Sequence, residues 1–269
     1  MDNLYEPSKK AGAIAITLLF AAEAAIVFVG GAHSKFIEPA IRGPFDLVAS
    51  RIMLFFAFVF AAAFSAVNIG TVRRGKKILE LRKSVGEGLE SSDRRAFYET
   101  RDNQRKLKKT HKKHKCLLIT QIVFGSVSLL LFIAYIAMAN GSYLYDVLSK
   151  PPIDRAGTDG DFRMWTDFLL AIAFIITMAS YFAVSPFTLR NIDFPKYVLY
   201  PSLLFGVLST IHYCAYFFAY FTNYPSFHDF ILAAVCLIIV QFDVLNLITA
   251  KKKKTISGFN GKQINIYEF

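Results

Sequence analysis

Three side chains able to carry a proton or hold a cation lie inside long apolar stretches of this chain. Glu23 sits in LFAAEAAIV, His212 in STIHYCAY and Asp243 in VQFDVLN. Asp243 precedes Lys251 by eight positions, a helical rise of ~12 Å, so it lies within a hydrocarbon layer or at its edge. A charge at the centre of a bilayer costs ~2.5–3.5 kcal/mol even on the most lenient scale, so such groups face a bundle interior or a wet cavity. One chemistry for this set is a proton or cation path. Glu23 and Asp243 would bind the charge and His212 would be their titratable partner. Gln121, Gln241 and Asn246 are candidates to line it, and Asp243 and Asn246, three apart, share a helix face. The opposing reading is interhelical contact: a carboxyl hydrogen-bonded to a neighbouring helix needs no further role. The alanines on both sides of Glu23 bring another helix close, which suits either reading.

Other polar residues read as structural. Arg51 and Asp167 lie at matching depth on two different apolar segments and form a candidate ion pair. Ala57, Ala61 and Ser65 recur every four residues, a small-residue column that permits close helix packing, internally or between copies. The chain has no HExxH, CxxC, GxSxG or P-loop pattern, so metalloprotease, hydrolase and built-in motor chemistry have no support. His111 and His114 are three apart but stand among lysines that would repel a cation, and His212 is the one histidine placed deep enough for haem ligation. Catalytic residues, a metal site and a cofactor are therefore not expected.

Positioning these residues falls to helices. The 269 residues are 54% hydrophobic, above the 45–50% usual for soluble domains, and the excess comes in blocks. A hydrocarbon core of ~30 Å takes ~20 helical residues to cross. Six blocks qualify, near 11–32, 47–70, 116–139, 164–185, 197–221 and 228–250. They are continuous rather than alternating, which favours helices over a barrel. The first block follows Lys9 and Lys10 as a signal peptide would, but its length fits a retained helix better. The expectation is an all-α, polytopic membrane protein, residues 1–269 forming one six-span domain.

Charge orients it. Residues 71–115 carry 16 Lys and Arg against 6 Asp and Glu, and the tail 251–269 is net +4. Segments 33–46 and 140–163 are net 0 and −1. Basic loops stay cytoplasmic, so both termini, 71–115 and 186–196 are expected inside. The run KLKKTHKKHK, with Lys106, Lys108, Lys109, Lys112, Lys113 and Lys115, then acts as a topology lock and a patch for anionic lipid, at ~1 kcal/mol per basic residue near the surface. It lacks interleaved aromatic residues, so nucleic acid is not an expected partner. Cys116, beside the run, is a candidate for palmitoylation.

Within 71–115, Ile78, Leu81, Val85 and Leu89 keep helical spacing, Gly86 and Gly88 interrupt it, and Ser91 or Ser92 can cap a second helix. This predicts a basic cytoplasmic helical hairpin between spans two and three, with a partly disordered loop as the alternative. Ser84, Ser91, Ser92 and Thr110 lie among its charges, where phosphorylation would weaken lipid attraction. Residues 140–163, with Pro151–Pro152, read as a turn-rich outer connector carrying the sequon at Asn140. Cys116, Cys214 and Cys236 all avoid the outer loops, so no disulfide framework exists. Tyr143, Tyr145, Trp165, Tyr197, Tyr200 and Tyr224 fall near the expected interfaces. The last residues, IYEF, place aromatics where a strand-adding ligand with a captured carboxylate would have them.

Two function classes follow, the first preferred because carboxylates at the centre of a membrane need a reason that a scaffold does not supply. One is a small channel or transporter with a protonatable path through Glu23, His212 and Asp243. The other is a non-catalytic membrane subunit or scaffold that recruits anionic lipid or partners through its basic loop and tail. A homo-oligomer or a larger membrane complex fits both, in the plasma membrane or the endoplasmic reticulum.

Overall fold

The computed structural model describes residues 2–29, 44–90, 94–149, 159–188, 196–220 and 227–260, all of them helical. They form α1 (Asp2–Val29), α2 (Pro44–Glu90), α3 (Arg94–Ser149), α4 (Asp159–Thr188), α5 (Lys196–Tyr220) and α6 (Phe227–Asn260). Each helix packs on its neighbour in chain order, and α6 returns to α1 to close the ring. α4 also reaches across to α2 and α6.

Four helical segments among the described residues contain a window long and apolar enough to cross a membrane: Ala11–Val29, Arg51–Gly75, Tyr98–Ala137, whose apolar part begins at Cys116, and Phe227–Ile248. Those of α4 and α5 are shorter, Leu169–Val184 and Leu199–Ala215. The outer surface is apolar as well. Leu18, Phe28, Ile122, Leu130, Ile211 and Leu237 are all more than half exposed. An apolar surface of this extent suits lipid rather than water.

The core is built mostly from rings. Phe20, Phe58, Phe64 and Phe132 are fully buried, with Met178 and Ile16 between them. Phe58 meets Phe132 edge-on at 5.0 Å, Phe132 meets Phe174 at 5.6 Å, and Phe174 meets Tyr213 at 5.8 Å. These edge-to-face contacts chain α2, α3, α4 and α5 together, each worth ~0.5–1.5 kcal/mol beyond burial.

α2 and α3 pair along most of their length. Buried residues recur every seven positions on both: Ala57, Phe64, Thr71 and Ile78 on α2, and Thr100, His114, Gln121, Ser128 and Tyr135 on α3, with half-buried Leu107 in the same series. A seven-residue seam is the signature of a left-handed coiled coil. The column Ala57, Ala61 and Ser65 is wholly buried in the bundle. It lets α3 approach closely enough for the Ser128 hydroxyl to donate to the Ala57 carbonyl at 2.8 Å.

Two boundaries differ from the sequence expectation. α2 runs through Gly86 and Gly88 to Glu90, because pairing with α3 outweighs ~1 kcal/mol of lost propensity per glycine. The expected outer connector is largely helical: α3 continues over NGSYLYDVLS and α4 begins at Asp159. Pro151 accounts for the stop at Ser149, since a proline disfavours helical geometry in the residue before it. Ser91, Ser92 and the tail from 261 fall outside the described residues, as do the side chains of Asp167, Tyr143, Tyr145, Trp165, Tyr197 and Tyr224.

Candidate functional site

Six-helix convergence occurs at the end of the bundle away from the α2–α3 turn. There Glu23 of α1 is completely buried, and His228 of α6 is 4% exposed. His228 Nδ1 and Glu23 Oε1 are hydrogen-bonded to each other. The second carboxylate oxygen, Oε2, is buried with no hydrogen-bond partner among the described residues. Beside His228 lies a cavity of about 40 Å³, walled by Phe58, Phe132, Tyr135, Phe174 and Tyr213 as well as the imidazole. Tyr135, Tyr213 and Asp229 are within electrostatic range of the pair. Asp229 is itself buried and engaged in contacts of its own.

The helical register explains the pairing. α1 and α6 run antiparallel: Gly12 lies under the Phe242 ring at one end, and Glu23 meets His228 at the other. A Cβ on Gly12 would come within 2.9 Å of that ring, so the glycine sets how closely the two helices pack. Alanine and glycine at the crossings leave room for the large groups that do the polar work.

The other expected polar residues go elsewhere. Asp243 accepts a hydrogen bond from the Ser202 hydroxyl of α5 at 2.5 Å. It lies fifteen residues along α6 from His228, ~22 Å of rise, so the two carboxylates of the expected path occupy different levels. His212 is half-buried with its ring on the edge of Tyr213, ten residues, or ~15 Å of rise, from Ser202. Gln121 donates to Asn68 Oδ1 at 2.8 Å and accepts from the Thr71 hydroxyl at 3.3 Å. Asn246 is buried on the same face as Asp243, whereas Gln241 is exposed. Glu23, His212 and Asp243 therefore belong to separate contacts, each made to a neighbouring helix or ring. Arg51 is half-buried, and its expected partner Asp167 has no described side chain.

No family model, curated protein or solved structure matches this chain.

Further clamps of the same kind complete the set. The Ser65 and Tyr181 hydroxyls are hydrogen-bonded at 2.7 Å between α2 and α4. Past the apolar stretch, Arg74 donates to the Lys113 carbonyl at 3.3 Å and Asn103 to the Ser84 hydroxyl at 3.4 Å. Lys108, Lys109, Lys112, Lys113 and Lys115 are all exposed there, as is Cys116. Lys106 is exposed too and pairs with Asp102 at 2.6 Å, one turn away.

Sequence reading missed His228. It stands next to Asp229 at the very start of the sixth apolar block, where depth in the bundle is not legible from hydropathy. The correction is that His228, and not only His212, is deep. The usable signal was antiparallel registry: a Glu late in the first span and a His early in the last meet when those spans pack side by side.

Proposed function

We propose that this chain is a six-span membrane scaffold, with both termini and the α2–α3 hairpin in the cytoplasm, that engages anionic lipid through a basic collar and presents the hairpin to partners. The observation that carries this reading is the way the polar groups are used. Inside the bundle, Glu23, Asp243, Gln121 and Ser65 are each hydrogen-bonded to another helix, at separate levels. Outside it, the lysines from Lys108 to Lys115 are exposed on α3. Positions Arg73, Arg74, Lys76 and Lys77 of α2 and Lys251 to Lys254 of α6 fall at the same end of the bundle. Such a collar sits within a Debye length, ~8 Å, of a headgroup surface, where each basic residue contributes ~1 kcal/mol.

The test is lipid retention by the full chain purified into nanodiscs of mixed zwitterionic and phosphatidylserine lipid. Replacing Lys108, Lys109, Lys112 and Lys113 by Gln should lower the phosphatidylserine held around the protein, while Glu23→Gln should leave it unchanged. Equal retention by wild type and the lysine variant would overturn the reading.

A second reading, proton or cation transport, draws on one observation: the unpartnered Oε2 of a fully buried carboxylate whose partner His228 lines a cavity. Proton flux in liposomes that is lost in Glu23→Gln would favour it. Flux indistinguishable from empty vesicles in wild type would remove it.

A further inference from the structure

We infer that the cavity beside His228 is a binding site for one small primary-ammonium cation, of methylammonium size. The inference is independent of the scaffold reading, because it concerns the opposite end of the bundle from the collar.

Charge balance is the first argument. Glu23 is completely buried, and an isolated carboxylate in an apolar interior is untenable without a compensating charge. Its Oε1 is hydrogen-bonded to His228 Nδ1, which must be the donor when the carboxylate is ionised, and its Oε2 is unmatched among the described residues. In a neutral imidazole this bond commits the ring proton to Nδ1 and leaves Nε2 as an acceptor. The pair then carries one negative charge, on the carboxylate hydrogen-bonded to the ring that lines the cavity. With the cavity empty, a proton on the pair supplies the missing positive charge. With an ammonium in the cavity, the cation supplies it.

The walls are the second argument. Phe58, Phe132, Phe174, Tyr135 and Tyr213 line the space. Aromatic rings attract a cation within ~6 Å of their centroids, and more strongly when water is excluded. The same walls offer a neutral water few partners, since a buried water needs two to four hydrogen bonds. A volume of about 40 Å³ admits a few heavy atoms and excludes a tetraalkylammonium. The ring of His228 lines the space, and Nε2 of a neutral imidazole can accept an N–H bond from the guest.

Two charges obey one balance, so binding is an exchange: one ammonium enters and one proton leaves. The experiment uses the full chain in nanodiscs, titrated with methylammonium chloride in weak buffer, with potassium chloride and tetramethylammonium chloride at matched ionic strength as controls. Methylammonium should release close to one proton per protein in a saturable titration, and raise the melting temperature by about 3 °C at roughly ten times the dissociation constant. Neither control salt should do so. Glu23→Gln should abolish the proton release. Phe174→Leu, which keeps the charges and removes a ring, should weaken the apparent affinity about threefold or more. It keeps the proposal testable if Glu23→Gln does not fold. Equal responses to all three salts, or no saturable response to methylammonium, would overturn the assignment and leave the cavity as a packing feature.

Discussion

Removing His228 should expose what holds α1 to α6. Glu23 and His228 are both buried, and no other hydrogen bond reaches the Glu23 carboxylate among the described residues. His228→Ala therefore strands a carboxylate in an apolar bundle, and breaking a buried charged pair from one side costs ~3–5 kcal/mol. Glu23→Ala strands a single imidazole, which can be buried neutral, so ~1–3 kcal/mol is expected from the unsatisfied donor. Removing both leaves neither group orphaned. The double variant should be more stable than the sum of the singles implies, with a coupling of ~1.5 kcal/mol or more. A neutral interhelical hydrogen bond in a membrane averages only ~0.6 kcal/mol, so the size of the coupling separates an ionic pair from ordinary glue. The assay is reversible unfolding in mixed micelles, followed by helicity, on all four proteins. Additivity within ~0.5 kcal/mol would refute the claim that the two residues act as a unit.

Other contacts give sharper local tests. Gln121→Leu or Asn68→Leu alone should destabilise by ~1 kcal/mol, and the double change should cost less than twice that, in the same micelle assay. Gly206→Ala should lower the melting temperature, because the new Cβ would lie 2.8 Å from the Val240 methyl at the α5–α6 crossing. Ser84 donates to the Leu81 carbonyl and accepts from Asn103 within the α2–α3 seam, so Ser84→Glu should loosen the hairpin. Spin labels on the two arms would then show a broader distance distribution than in wild type. An unchanged distribution would mean that a charge at this position is tolerated in the seam.

Long apolar blocks and lysine runs made the helices legible, because length and hydropathy are local properties. The α2–α3 pairing was less so. Its seam carries Thr100, His114, Gln121, Ser128 and Tyr135, so a search for apolar periodicity passes over it. The helical continuation to Ser149 was hidden by Asn140 and Gly141, whose weak propensity is overridden by the length of helix already formed behind them. At the site, the cost of burying Glu23 was readable from sequence, but its partner was not. Which group compensates a buried charge depends on which helices touch, and that is decided by rings and glycines at crossings, such as Gly12 under Phe242.

α3 is a single helix of 56 residues, ~84 Å long, and α2 accompanies it for much of that length. From Lys115 to Arg94 it extends ~32 Å beyond the apolar stretch. A shaft that passes unbroken from bilayer to water has no hinge, so its two ends share one orientation. Membrane helices answer changes in bilayer thickness by tilting, commonly by ~20°. That tilt would swing the free end sideways by ~11 Å while barely moving the part in the lipid. Anything resting on the tip would thereby shift sideways as the thickness of the membrane below it changed.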